Sequence, residues 1–128
     1  MKVTREKINI EYIFNQASKA SLWNCLSTAD GLSEWFADRV FNEDNHFTFN
    51  WKGHSLEAEL LGITPFVYIR FRWTDEDEAT YFEFRLHQAE LTNDIMLEIT
   101  DFAEEGGKDD VVSLWDTQIK TLKRKLGI

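Results

Sequence analysis

Between His46 and Phe102 the chain alternates apolar and polar residues with a period of two through five successive stretches. That period puts successive side chains on opposite faces of a strand, so the region can bury one face of a β-sheet and leave the other in water. Phe47, Phe49 and Trp51 alternate with His46, Thr48 and Asn50, and Leu56, Ala58 and Leu60 alternate with Glu57 and Glu59. From Val67 to Thr74 the inward set is Val67, Ile69, Phe71 and Trp73; from Thr80 to Gln88 it is Phe82, Phe84 and Leu86. Asp94 to Phe102 repeats the pattern with Ile95, Leu97 and Ile99. The connections 51–53, 62–65, 75–78 and 92–94 are short and rich in turn formers. Parallel neighbours would need crossovers of a dozen residues or more, so the stretches are expected to form an antiparallel meander.

The flanking segments have other periods. Glu6 to Phe14 sets Ile8, Ile10, Tyr12 and Phe14 on one face of a further strand. Ser18 then caps a short helix through Leu22, Trp23 and Leu26, which Thr28 to Gly31 ends. A second short helix is predicted over Leu32 to Phe36, with Leu32, Trp35 and Phe36 on one side. After the meander, 104–108 reads as a loop, and Asp109 or Asp110 caps a final helix about sixteen residues long. Val111, Trp115, Ile119, Leu122 and Leu126 form its one apolar stripe, and Lys120, Lys123, Arg124 and Lys125 gather at its C-terminal end, where they favour the helix dipole. The predicted fold class is therefore α+β. A curved antiparallel sheet wraps round a long C-terminal helix, with two short helices between the first and second strands, all in one domain over 1–128. At 43% hydrophobic residues such a chain buries roughly two-thirds of its unfolded surface and needs no staples.

Charge narrows the partners. Fourteen basic against 23 acidic residues leave a net charge of −9, which phosphate backbones and anionic lipid surfaces repel, so no nucleic-acid partner is expected. The basic end of the last helix is explained by the dipole and carries no aromatic stacking platform. No window approaches 18 apolar residues, so no membrane span is predicted. The single Cys25 excludes an internal disulfide, and residues 1–6 contain no apolar run of signal-peptide type; together these lead us to expect a reducing, cytoplasmic setting. Glu57, Glu59, Glu83 and Glu98 are placed on the outer face of the sheet, where Arg70, Arg72 and Arg85 pair with them in a solvated ladder. If 62–65 is a four-residue hairpin loop, Leu61 faces Phe66, setting Glu57 opposite Arg70, Ala58 opposite Ile69 and Leu56 opposite Phe71.

The stretch LWNCLSTADGLSEWFAD (residues 22–38) resembles the motif of START-like, helix-grip (SRPBCC) proteins, in particular the branch related to the C-terminal domain of the heat-shock chaperone ATPase activator. Thr64-Pro65 followed by Ile69 to Trp73 resembles the strand pair of that branch, and Trp115 with Leu122 its closing helix. The chain departs from the branch at Leu114, where Gly is common. The resemblance implies a cavity between helix and sheet, used in relatives for lipids, polyketides, plant hormones or contact with a chaperone, and it implies no fixed catalytic residue.

The residues themselves offer little chemistry. His46 and His87 sit among outward polar residues, no metal-ligand spacing is present, and no cofactor motif occurs. Cys25 has no base beside it and reads as a small buried hydrophobe. The inward faces are read as lacking an acid and base pair, which leaves a cyclase or dehydratase as the weakest reading. What stands out is the aromatic content, 14% of the chain, most of it on inward faces. Those rings either fill the interior or wall an apolar pocket. The expected ligand-binding residues are Trp51, Phe71, Trp73, Phe84 and Trp115 as walls, Trp35 and Phe36 at the rim, and His54, opposite Trp73, as polar anchor. The function expected from this is a non-enzymatic module holding an apolar or amphipathic small molecule. Contact with a chaperone or other protein through the charged surface, with the acidic run 75–78 as the contact, is the alternative.

Overall fold

The computed structural model describes residues 5–15, 17–76 and 79–128. In chain order the elements are β1 (Arg5–Phe14), α1 (Lys19–Ser27), α2 (Ala29–Leu32), β2 (Arg39–Glu43), β3 (His46–Trp51), β4 (His54–Thr64), β5 (Tyr68–Trp73), β6 (Phe82–Gln88), β7 (Ile95–Glu104) and α3 (Lys108–Leu126). Among the described residues the seven strands make one antiparallel sheet ordered β1-β7-β6-β5-β4-β3-β2. The α+β helix-grip layout is thus present. The inward rings and aliphatic residues of the sheet, including Phe49, Phe71, Phe84, Leu97 and Ile99, are buried together with Trp115, Ile119 and Leu122 of α3.

Ser18 caps α1 as expected, accepting a hydrogen bond from the Ser21 N–H at 3.3 Å. The second helix begins earlier than predicted, at Ala29 rather than Leu32. Thr28 ends α1 and caps α2 at once: its Oγ1 donates to the Asn24 carbonyl at 2.9 Å and accepts from the Gly31 N–H at 2.9 Å. A Cβ on Gly31 would fall 2.0 Å from the Asn24 carbonyl oxygen, so the two helices can touch here only through glycine. The chain then turns, with the Phe36 N–H donating to the Leu32 carbonyl at 3.0 Å. Strand β2 was not foreseen. It has five residues, buries only Val40, and so shows almost no alternation to read.

Two expectations about the sheet are corrected. Strand β4 runs on to Thr64, and the turn is 65–67, closed by the Val67 N–H on the Thr64 carbonyl at 2.9 Å with Phe66 in the left-handed region (φ 65). Ala58 therefore faces Trp73, Glu59 faces Arg72 and Leu60 faces Phe71, with a bulge between Leu60 and Gly62. Glu57 does not meet Arg70; it bonds His46 at 2.9 Å instead. Nor is Glu83 solvated. Its side chain is only 6% exposed, held by Arg70 at 2.8 Å and Arg85 at 3.2 Å, while the Arg70 and Arg85 guanidinium groups stack over Tyr81 and Tyr68. Tyrosines on the outer face shield that carboxylate from water, which alternation by itself does not reveal. Helix α3 begins at Lys108 and has 19 residues; its N-cap is Gly107, without a side-chain bond, and Asp109 and Asp110 lie in the first turn. Asp77 and Glu78 of the acidic run, and residues 1–4, lie outside the described residues.

Candidate functional site

The ends of β3 to β7 on one side of the sheet, together with the N-terminal half of α3, surround a half-open recess of about 380 Å³. Phe36, Trp51, Leu56, Trp73 and Phe82 supply its sheet-side wall. Val111, Leu114, Trp115 and Gln118 cover it from α3, and His54 and Asp101 complete the lining. On α3, residues 111, 115 and 118 share one face because four and three residues make one turn each.

Five of the eight residues expected from the sequence meet here: Phe36, Trp51, His54, Trp73 and Trp115. Trp35, Phe71 and Phe84 are placed in the packed core behind them, at 6%, 0% and 0% exposure. Phe36 is not at a rim. It is the centre of the ring packing, stacked on Phe82 and Trp115 at 5.8 Å each and on Trp73 at 6.3 Å. The turn after α2 drives it under the sheet, and spacing within a helix could not have shown that. His54 pairs with Trp51 rather than Trp73, stacked at 5.3 Å between ring centres, and is exposed at the mouth.

Three of the indole N–H groups have acceptors within the protein, as buried polar groups require. Trp35 donates to the Cys25 carbonyl at 2.8 Å, and Trp51 to the Phe36 carbonyl at 3.0 Å. The same Phe36 carbonyl receives the Gln118 side-chain amide at 3.3 Å, which ties α3 to the turn below it. Trp115 donates to Asp101 Oδ2 at 2.9 Å, and the Phe102 N–H donates to Asp101 Oδ1 at 2.8 Å. Burial raises the Asp101 carboxyl above its ordinary range; the bonds from Trp115 and Phe102 oppose this, Glu76 adds to it and Arg5 opposes it.

Asp101 is an inward-facing acid that the sequence reading, which looked for an acid and base pair, did not single out. The signal was available: 101 has the parity of Ile95, Leu97 and Ile99. Gln118, on the edge of the α3 stripe, was missed in the same way. His54 and Asp101 nevertheless belong to β4 and β7, with β5 and β6 between them. Three strand spacings amount to roughly 14 Å along the sheet, which is no hydrogen-bonded acid and base pair. Elsewhere, burial pushes the Cys25 thiol up to about 11, with Glu34 contributing, so it is a protonated core residue at neutral pH. Among the described residues no three His, Cys, Asp or Glu side chains converge as a metal site would require.

A family model described as a START-like superfamily domain matches residues 2–128. The chain belongs to the START-like superfamily. A Bacteroides fragilis protein solved by NMR is 43% identical to this START-like domain, covering 94% of this chain and 90% of its own, with a TM-score of 0.70. The Aha1 dimer from Colwellia psychrerythraea is 20% identical over 94% of this chain and 97% of its own, TM-score 0.75. CalU16 from Micromonospora echinospora is 18% identical over 91% of this chain and 71% of its own, TM-score 0.68. The last two likenesses are of fold. The START-like domain has no match among curated proteins. Its fold suits a ligand-binding or cyclase-like module in general, and no helix among its described residues is long and apolar enough to cross a membrane.

Proposed function

We propose that this START-like domain is a non-enzymatic binding module that holds an apolar or amphipathic small molecule, lipid-like or aromatic, between the sheet and α3. The observation that carries this reading is the recess itself. At about 380 Å³ it falls within the roughly 300–1,000 Å³ of small-molecule sites, and rings dominate its walls while few polar groups enter it. Apolar contact supplies the affinity in such a site, and the few polar groups orient the ligand. Trp51, Trp73 and Trp115 are its reporters. Titration with apolar ligands should quench their fluorescence saturably, and native mass spectrometry of the purified protein should retain a small molecule; a flat response to every ligand together with a bare mass would refute the reading.

Contact with a chaperone or other protein is a second reading, supported by the fold likeness to Aha1 and the net charge of −9. It has less to stand on at the acidic run, because Glu76 is already bound to Arg5 at 2.8 Å. A cyclase-type activity would need acid and base within reach of one substrate, and the separation of His54 from Asp101 weighs against it. The lone, buried Cys25 supports a reducing, cytoplasmic setting.

A further inference from the structure

The polar groups that line the recess are unequal in kind. Asp101 offers a carboxylate with four lone-pair sites, two of them taken by Trp115 and Phe102. Gln118 gives one of its two side-chain N–H groups to the Phe36 carbonyl, which leaves its Oε1 as an acceptor and one N–H as a neutral donor. Among the described residues neither Lys nor Arg lines the space. Arg5, which acts on the Asp101 charge, lines an adjoining space of about 150 Å³ that Asp101 also borders, and is held there by Glu76 at 2.8 Å. His54 stands at the far side, against Trp51. The remaining walls are the aliphatic Leu56, Val111 and Leu114 and five aromatic side chains, whose ring faces carry negative quadrupoles that attract cations.

We infer that the recess selects its ligand by charge, taking apolar amines, with the protonated nitrogen directed at Asp101, in preference to apolar carboxylates. This rests on the reading of the recess as a ligand site and names the chemical class it takes. An ammonium group would gain a charge-assisted bond to Asp101 and ring faces at Trp73, Phe82 and Trp115. A carboxylate in the same place would meet Asp101 as a like charge in a poorly hydrated site, where among the described residues no Lys or Arg lines the space to offset it. The acidic surface acts in the same sense, since a net charge of −9 concentrates cations around the molecule.

Three ligands sharing one apolar body separate the two claims: 1-naphthylmethylamine, 1-naphthalenemethanol and 1-naphthoate, titrated by calorimetry at pH 7.5 into the wild type and Asp101→Asn. The amine should bind the wild type at least about tenfold more tightly than the carboxylate, because their charges are opposite beside one buried carboxylate. In Asp101→Asn the amine should fall to within about threefold of the alcohol measured in the same variant. Equal or tighter binding of the carboxylate to the wild type overturns the inference, and so does an amine preference that survives in the variant. Saturable alcohol binding with no amine preference defeats the charge inference alone. Failure of all three to saturate defeats the binding reading and this inference with it. Should the variant not fold, the wild-type ratio of amine to carboxylate decides.

Discussion

Asp101 sits in a conflict that single residues rarely carry without a use. Its carboxyl is partly removed from water, which disfavours the charged form, yet it must accept the Trp115 N–H to keep that indole satisfied. Its folded pKa lies above the unfolded one, so its contribution to stability is complete below the ordinary carboxylate value and is lost as pH rises through the raised folded value. Asp101→Asn removes the charge and, with a single oxygen for the Trp115 and Phe102 N–H groups, mimics the protonated acid. Its melting temperature should exceed that of the wild type near pH 7, and the gap should close as both are acidified; a gap independent of pH would refute the assignment. Arg5 and Glu76 face Asp101 from β1 and the turn after β5, so the profile should be repeated in Glu76→Gln to separate their influence. The parity of Asp101 was legible in the sequence. Its role as the partner of Trp115 was not, because residues on β7 and α3 are brought together only by the packing of helix on sheet.

Elements differ in how plainly they announce themselves. Strands β3 to β7 and helix α3 are long enough to repeat their period several times, and each was placed from its pattern with end shifts of a few residues. Strand β2 and helix α2 are five and four residues long, too short for a period to stand out. The β4–β5 register illustrates a subtler limit. Between Ala58 and Leu60 the pairing differs from expectation by an even number of residues, so every side chain kept its face although every partner changed. The α1–α2 corner depends on one backbone approach. Gly31→Ala should cost on the order of 3 kcal/mol, as overpacking against an unyielding backbone does, and urea unfolding would measure it; a loss below about 0.5 kcal/mol would mean that the helices separate freely.

For the whole molecule, the interior is both filled and hollow. At the end of the sheet remote from the recess the rings close on one another: Phe47 and Phe71 lie 5.1 Å apart, and both are buried. Under the N-terminal half of α3 the space stays open, because Val111 is small and Leu114 projects to the mouth, 60% exposed. Val111→Trp should fill that space, weakening ligand binding by at least about tenfold while leaving the circular dichroism spectrum of the wild type intact. Unchanged affinity in a folded Val111→Trp would place the ligand elsewhere. Alternation and helical stripes, being local properties of the chain, were enough to give the fold class, the inward faces and most of the core. Depth was another matter. Which rings pack and which stand at an opening depends on the distance between α3 and the sheet, and that distance is set by contacts between residues remote in sequence, such as Gln118 with Phe36 and Trp115 with Asp101. No periodicity encodes it, so Phe71 and Phe84 could not be told from Trp51 and Trp73 until the helix was in place.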